Sequence, residues 1–225
     1  MNKRLKLSIN LFLMLLPWGI RRWVFQRLFG FVFEENAYIG RSIILAKRLV
    51  LRKGAVIKSL NFINEIDEIE LGPHSQIDSR NWITGLSTKY KHNFTYDTGR
   101  ECYLRLAEHA RITNLHFLDC TGGISIGKFT TVAGIRSVLL THGIDLEISR
   151  QRSAPLSIGA YCFVGTNCKL LMGAVLPDRS MLAAGAVLAT CLSDECYLYG
   201  GVPAKPVKAL EPGFKYFSRN HGHVN

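Results

Sequence analysis

One short segment of the sequence combines a proton-accepting side chain with a nearby carboxylate. His142 lies in LLTHGID, and Asp145 follows it by three residues. A neutral imidazole accepts a proton near neutral pH, so His142 is a candidate general base. Asp145 could hold the other ring nitrogen or bind hydroxyl groups of a substrate. This chemistry requires a rigid framework that holds both side chains in place.

A six-residue repeat predicts that framework. Six aliphatic residues follow one another at this spacing: Ile158, Val164, Leu170, Leu176, Leu182 and Leu188. A small residue stands four positions after each of the first five: Cys162, Cys168, Ala174, Ser180 and Ala186. A period of six matches neither an alternating strand nor a helix, and it is typical of a parallel β-helix built from hexapeptide repeats. The predicted fold class is therefore all-β.

The repeat also predicts the domain organisation. The same register recurs upstream, so we expect one β-helix domain over residues 37–200, with an irregular stretch at 81–103 and a loop at 145–155. His142 occupies a position where the repeat favours a small residue, just before this loop. Loops that leave a rigid scaffold often carry functional side chains, which strengthens the assignment of His142.

Residues 1–36 are predicted to be a basic, amphipathic helical segment, and residues 201–225 a C-terminal segment and tail. Residues 1–58 contain twelve Lys and Arg and only two acidic residues. The apolar run at 11–16 is too short to span a bilayer, and no small-residue cleavage site follows it. Two interpretations remain open, a helix on an anionic membrane surface or a cap on the open end of the β-helix. The basicity favours membrane contact, and nothing in the pattern favours nucleic acid.

The cysteines indicate a reducing compartment. Cys162 and Cys168 occupy small-residue positions of the repeat, where a thiol acts as a small apolar group. Cys191 and Cys196 lack a second pair at zinc-ligand spacing. We therefore expect a cytoplasmic protein, peripheral on the inner face of the cytoplasmic membrane, that carries no metal.

Three segments carry a resemblance to a known family: LLTHGID, IGAYCFVGTNCKLLMGAVLPDRSMLAAGAVL and GVPAKPVKAL. They resemble the hexapeptide-repeat O-acetyltransferases of bacterial polysaccharide and capsule synthesis, relatives of the maltose and galactoside acetyltransferases. The resemblance covers about residues 112–210. It implies a left-handed β-helix, a homotrimer with active sites between subunits, and acetyl-CoA as the donor. It also implies direct acetyl transfer to a sugar hydroxyl, on a carbohydrate or lipid-linked glycan, with the histidine as general base.

The resemblance assigns further residues by position. His142 matches the general base. Six residues match positions that line the acetyl-CoA site: Phe163, Gly165, Ala184, Gly185, Lys205 and Lys208. Lys205 and Lys208 would meet the cofactor phosphates. Asn114 and Asp119 are expected on the acceptor side.

Two other functions are compatible with a β-helix. A non-catalytic scaffold at the membrane would need no base and no cofactor groove. A zinc hydratase of the gamma carbonic anhydrase type would need three histidines on one metal. His109, His116 and His142 lack the close pair on successive turns that such a site requires.

Overall fold

The hexapeptide repeats fold into three parallel sheets that form the faces of a triangular prism. The computed structural model describes residues 2–97 and 99–222, and its strands are numbered along the chain. Successive strands enter faces A, B and C in turn, and the chain turns a corner between faces. The architecture is a left-handed parallel β-helix with an N-terminal helical segment, so the predicted fold class is confirmed.

Face A contains seven parallel strands: β1 (Val32–Phe33), β4 (Arg48–Leu51), β7 (Glu68–Leu71), β10 (Tyr103–Leu106), β13 (Ile124–Ile126), β18 (Leu156–Ile158) and β21 (Val175–Leu176). Face B contains eight: β2 (Tyr38–Ile39), β5 (Val56–Ile57), β8 (Gln76–Ile77), β11 (Arg111–Ile112), β14 (Thr131–Val132), β19 (Phe163–Val164), β22 (Met181–Leu182) and β24 (Tyr197–Gly200). A ninth strand, β25 (Lys205–Ala209), adds to face B antiparallel to β24. Face C contains seven: β3 (Ile43–Leu45), β6 (Phe62–Asn64), β9 (Trp82–Thr84), β12 (Phe117–Asp119), β15 (Val138–Leu140), β20 (Lys169–Leu170) and β23 (Val187–Leu188).

Stacked aliphatic side chains fill the interior of the prism. In face B the register pairs Ile39 with Ile57 and Ile57 with Ile77, and all three are fully buried. Burying one such side chain contributes about 1.5–3 kcal/mol relative to leaving it in water. Cys162 and Cys168 are buried as well, and burial raises the pKa of the Cys162 thiol to about 12. These two cysteines therefore act as small packing groups, as the repeat predicts.

The chain leaves the coils in two places. Between β9 and β10, the described residues 85–97 and 99–102 form an excursion that includes a 3₁₀ turn at Lys91–Asn93. The predicted irregular stretch thus begins too early, because Trp82–Thr84 still forms a strand with Ile83 pointing into the core. The second departure is an antiparallel hairpin of β16 (His142–Asp145) and β17 (Arg150–Ser153) between faces C and A. It starts at His142 itself, three residues before the predicted loop.

Two helices close the N-terminal end of the prism, α1 (Lys3–Leu13) and α2 (Trp18–Phe29). Leu13 and Phe25 are buried against the first coil. The Asn10 amide oxygen accepts a hydrogen bond from the Ile44 backbone N–H at 3.0 Å, and Arg21 donates to the Ile39 carbonyl at 2.7 Å. The helices thus satisfy backbone groups that an open β-helix end would leave unpaired. Among the described residues, no helix has the length and apolarity needed to cross a membrane.

Candidate functional site

A buried carboxylate orients the ring of His142. Asp119 ends β12, and the register places it beside Leu140 of the next coil, two residues before His142. The Nδ1 atom of His142 lies 2.5 Å from Oδ2 of Asp119. The backbone N–H groups of Thr141 and His142 donate to the same oxygen at 3.1 and 3.2 Å. The geometry of the coil corner therefore fixes both the carboxylate and the imidazole.

The surroundings of Asp119 keep it ionised. The carboxyl group is only 2% exposed, and its Oδ1 accepts hydrogen bonds from the Thr121 hydroxyl at 2.6 Å and the Thr121 N–H at 3.2 Å. Burial alone raises the pKa of Asp119, but the hydrogen bonds from His142 and Thr121 outweigh it, so its pKa lies below the usual value. A carboxylate can only accept hydrogen bonds, so Nδ1 of His142 carries the hydrogen in this pair.

This arrangement leaves Nε2 of His142 as the free proton acceptor. The His142 side chain is about one third exposed, and Nε2 forms no hydrogen bond with any of the described residues. A buried carboxylate on Nδ1 fixes the tautomer and stabilises the imidazolium that forms when Nε2 takes a proton. The pair is therefore equipped to remove a proton from a hydroxyl group placed next to Nε2.

The structure corrects the expectation that Asp145 could hold the His142 ring. Asp145 lies at the far end of β16, where its Oδ2 accepts a hydrogen bond from Arg152 on the opposite strand at 3.0 Å. Its Oδ1 accepts from the Glu147 N–H at 3.1 Å in the hairpin turn. Asp145 thus ties the hairpin together, and Asp119 holds the ring. Asp119 was expected on the acceptor side, but its burial directs it to the base instead.

The excursion at 85–102 forms one side of the site. Phe94 is buried, and its ring meets the His142 ring edge to face at 6.3 Å between centroids. Arg100 lies over the Phe94 ring, with its guanidinium carbon 4.3 Å from the ring centroid. Arg100 also donates to the carbonyls of Leu86, and of Thr121 at 2.9 Å. The same loop therefore supports the base and its carboxylate partner from one direction.

The hairpin is tied to this excursion. The Asp97 carboxylate accepts hydrogen bonds from the Ser153 hydroxyl and from the Ser153 N–H, the latter at 3.2 Å. The guanidinium carbon of Arg150 lies 3.5 Å from the centroid of the Tyr96 ring. A cleft of about 460 Å³ opens in the excursion, lined by Thr88, Lys91, Phe94, Thr95, Asp97 and Arg100. Phe94 and Asp97 link this cleft to the His142 corner.

The residues expected to bind the cofactor lie on another part of the prism. Phe163 is in β19 on face B, and Gly165 and Ala184 lie at the edge between faces B and C. Lys205 and Lys208 are exposed on β25, which extends face B. His142 lies at the edge between faces C and A. In a triangular prism that edge is opposite face B, so one chain does not bring these residues to His142.

The two candidate glycines differ in what requires them. A Cβ atom on Gly165 would lie 2.7 Å from the backbone nitrogen of Ala184, so coil packing alone excludes a side chain there. Gly185 has φ +73° and open space beside it. Its left-handed backbone conformation favours glycine, and its surface is free to approach a ligand. Phe163 packs edge to face with Tyr216 of the C-terminal segment, with ring centroids 6.2 Å apart.

Asn114 lies at the edge between faces B and C, and its Oδ1 accepts a hydrogen bond from the Ser79 N–H at 3.0 Å. The structure therefore brings Asp119, but not Asn114, to His142 within one chain. Sequence reasoning missed Thr121 and Phe94 at the site. Thr121 could have been found from its place two residues after the strand that ends at Asp119, whereas no periodic signal identifies Phe94.

The other histidines of the zinc hypothesis are placed elsewhere. His116 is buried inside the prism, where its Nε2 lies 2.9 Å from the Thr113 hydroxyl and its Nδ1 accepts from the Ser137 N–H. His109 stacks between the rings of His74 and Phe129. Within residues 2–97 and 99–222, no cluster of three or more His, Cys, Asp or Glu side chains is arranged to hold a metal ion. These three histidines thus do not converge in one chain.

Comparison with known proteins gives matches at the level of structure. No protein-family model matches the sequence, and no curated protein is similar to it in sequence. A mutant of AntD, an N-acyltransferase from Bacillus cereus, in complex with dTDP and coenzyme A, has a TM-score of 0.58 at 16% identity. The match covers 75% of this chain and 84% of that one.

Two further structures show the same similarity. Another AntD mutant, in complex with dTDP-4-amino-4,6-dideoxyglucose and coenzyme A, has a TM-score of 0.56 at 16% identity, covering 85% of this chain and 89% of that one. A hexapeptide-repeat acetyltransferase from Vibrio cholerae, complexed with acetyl coenzyme A, has a TM-score of 0.49 at 15% identity, covering 93% and 87%. At such low identity the AntD matches establish the fold, which is the one that the sequence resemblance implied.

Proposed function

We propose that this protein is an acetyl-CoA-dependent O-acetyltransferase that modifies a sugar hydroxyl in the synthesis of a bacterial surface polysaccharide. The observation that carries the proposal is the Asp119–His142 pair, with Nδ1 held by a buried carboxylate in a side chain that is about one third exposed. Hydroxyl groups are very weak acids near neutral pH, so their attack on an acyl donor requires a general base of this kind.

The proposed chemistry is a direct transfer. Nε2 of His142 takes the proton of the acceptor hydroxyl as its oxygen attacks the thioester carbonyl carbon. The new C–O bond forms, the C–S bond breaks, and the coenzyme A sulfur leaves and receives the proton from the imidazolium. Asp119 holds the ring through both proton transfers and balances its transient positive charge. No acyl-enzyme is needed.

The donor site is proposed on face B and its edge with face C. The AntD structures contain coenzyme A on the same fold, which supports a coenzyme A donor. Gly185 offers an open backbone there, and Phe163 an aromatic wall. Lys205 and Lys208 are exposed cations suited to phosphate groups. The donor would be acetyl-CoA, by the sequence resemblance.

The active site is proposed to form between copies of the chain in a homotrimer. His142 and face B lie on opposite sides of one prism, so a base and a donor from the same chain cannot meet. Threefold packing of prisms would set the C–A edge of one copy against the B side of its neighbour. Each neighbouring pair would then contain one complete site, with Asn114 on the donor chain available to the acceptor.

The acceptor is proposed to be a sugar on a carbohydrate or lipid-linked glycan, modified at the cytoplasmic face of the membrane. One AntD structure holds a dTDP-linked amino sugar, which supports a sugar as the acceptor. AntD acylates nitrogen, whereas the Asp119–His142 pair favours oxygen, because a neutral amine does not need a base before it attacks.

The proposal is tested by measuring thiol release from acetyl-CoA with a panel of sugars, nucleotide sugars and lipid-linked glycans. His142→Ala should lower kcat by about 100- to 10 000-fold, the usual contribution of general-base catalysis. The matched control is His74→Ala, which removes an exposed histidine on another edge and should leave turnover within about twofold.

Calorimetry with coenzyme A provides an independent measurement. The transferase should bind coenzyme A saturably, and Lys205→Ala together with Lys208→Ala should weaken binding. A protein that binds no coenzyme A would instead be the scaffold of the alternative hypothesis. Full turnover in His142→Ala, with its fold intact by circular dichroism, would refute the assignment of the base.

A further inference from the structure

The N-terminal cap has an outer surface that closing the prism does not use. The inner sides of α1 and α2 carry the capping contacts, through Asn10, Leu13, Arg21 and Phe25. Seven large apolar side chains of the same segment are instead about half or more exposed: Leu5, Leu11, Phe12, Leu15, Ile20, Trp23 and Leu28. Exposed apolar side chains concentrated in this way mark a contact surface on a soluble protein.

The exposed residues of α1 follow helical geometry. Leu5 and Phe12 are seven residues apart on α1, so they lie on one side of the helix. Leu15 lies in the turn after the helix, where its N–H donates to the Phe12 carbonyl at 3.1 Å. Leu15 is 78% exposed and Phe12 63%. Arg4 and Leu11, also seven apart, lie next to this side of the helix. The outer face of α1 therefore combines apolar side chains with a cation.

The outer face of α2 has the same composition. Ile20, Trp23 and Arg27 are spaced by three and four residues and lie along one exposed stripe. Trp23 is 61% exposed. An aromatic ring beside an arginine suits the boundary between acyl chains and phosphate headgroups, where the ring dips in and the guanidinium stays at the phosphates.

The charges decide between a lipid surface and a second protein copy. Among the described residues, neither Arg4 nor Arg27 forms an ion pair. The two acidic residues of the first 58, Glu34 and Glu35, are already engaged by Arg52 and Lys53. Packing this surface against a copy of itself would bring like charges together, whereas an anionic bilayer attracts them.

We infer that the outer faces of α1 and α2 bind the surface of an anionic phospholipid bilayer, with Phe12, Leu15 and Trp23 inserted at the level of the headgroups. The inference deepens the proposed function by naming the surface that holds the enzyme near membrane-bound acceptors. It rests on the proposed function only in assigning this contact to the cytoplasmic face of the membrane.

The test is flotation of the purified full-length chain with phosphatidylglycerol–phosphatidylcholine vesicles and with phosphatidylcholine vesicles alone, without donor or acceptor. The wild type should float with the anionic vesicles and dissociate as salt is raised. The double variant Leu15→Ser, Trp23→Ser should bind at least about tenfold more weakly, because two apolar side chains no longer insert. Arg4→Gln and Arg27→Gln should each lower the affinity for anionic vesicles about fivefold at low salt.

Matched controls use exposed residues elsewhere. Leu146→Ser changes an apolar residue that is 88% exposed in the hairpin turn, and Arg80→Gln changes an exposed corner arginine. Both should bind like the wild type. The inference is overturned if the wild type does not float, or if it floats equally well with neutral vesicles. It is also overturned if the control variants lose as much vesicle binding as the variants in α1 and α2. It is also overturned if light scattering shows that the Leu15, Trp23 variant instead breaks an oligomer.

Because no substrate is present, a failure of vesicle binding leaves the transfer assay untouched. Conversely, loss of turnover in His142→Ala with intact flotation would be expected if both proposals hold. Flotation without any transferase activity would retain the membrane inference and reject the enzyme.

Discussion

The uninterrupted coils at 156–188 and the interrupted coils around His142 are built from different interactions. In the uninterrupted part, buried positions hold aliphatic or small residues, such as Leu176, Cys168 and Ala186. In the interrupted part, the buried set includes polar groups that bond to one another, among them Asp119 and Thr141. Apolar packing suffices where one coil follows another directly, and directional bonds are added where the chain leaves the prism.

The corner between faces C and A shows how the interrupted coils differ from the regular ones. In the regular coils, a small side chain follows the inward-facing aliphatic residue by four positions. In the coil of His142 the inward-facing residue is Leu139, which pairs with Leu118 and Leu170, so His142 follows it by three positions. The sequence register that counted four positions from Val138 to His142 was therefore wrong by one residue. The corner can accept the larger ring because the chain turns outward there into a hairpin. The break in the coils therefore marks the position where a partly exposed histidine is held on a rigid support.

The largest expected effect comes from breaking the polar network. Asp119→Asn should lower kcat by about 100- to 10 000-fold, because an amide neither fixes the Nδ1–H tautomer nor stabilises the imidazolium. Turnover of acetyl-CoA with an identified acceptor provides the measurement. A loss below tenfold in a folded variant would mean that the carboxylate does not support the base.

The corresponding change in the uninterrupted coils should affect stability and not chemistry. Leu176→Ala removes a fully buried side chain and should lower the free energy of unfolding by about 2–5 kcal/mol. Its kcat per folded molecule should stay within about twofold of the wild type. Chemical denaturation and kinetics below the transition measure the two effects separately, and a large fall in kcat would contradict the division between the regions.

Acid should destabilise the protein through His116. Burial lowers the pKa of His116 to about 4, below its usual 6.5. The unfolded chain therefore binds this proton at a higher pH than the folded chain. The contribution of neutral His116 to the free energy of unfolding, roughly 3 kcal/mol, is fully present above about pH 6.5 and is lost as the pH falls towards 4. In His116→Gln, the free energy of unfolding should fall less steeply between pH 6.5 and 4, and its pH dependence above pH 7 should be unchanged. An unchanged acid slope would show that His116 is not the group responsible.

The smallest effect is expected at the far end of the hairpin. Asp145→Asn weakens the exposed contact with Arg152 and should change kcat by less than about threefold, since Asp145 does not touch the His142 ring. This variant is also the matched control for Asp119→Asn, because both replace a carboxylate by an amide. Equal losses in the two variants would assign Asp145 a direct role in the reaction.

Periodicity predicted the fold for a physical reason. A six-residue repeat dictates which side chains point inward, so Ile158 to Leu188 determine the coil. His142 was singled out from its chemistry and its place before a loop, whereas the register that counted from Val138 was one residue out, because Leu139 points inward. The partner of His142 was harder to identify, because Asp119 belongs to the preceding coil, 23 positions earlier. The register that pairs Leu118 with Leu139 contains this information, but it emerges only when the lengths of the intervening corners are known.

Other parts of the site carry no periodic signal. Phe94 reaches His142 through an irregular path, and its position is supported by Arg100, which packs on the Phe94 ring and donates to the Thr121 carbonyl. The N-terminal helices were predicted from their amphipathic spacing, with capping and membrane contact as alternatives. The structure shows the capping contacts on the inner faces, and membrane contact by the outer faces stays a prediction.

In the proposed homotrimer, the position of His142 across the prism from face B would place the base and the donor site of each active site on different subunits. In a single chain, the proton acceptor and the donor groove would lie on opposite sides of the prism and could not act on the same substrates. Dilution that separates the copies should therefore abolish turnover while every chain remains folded. Conversely, subunits that lack His142 can be mixed with subunits whose donor groove is inactivated by mutation. The mixture should recover activity that neither variant has alone.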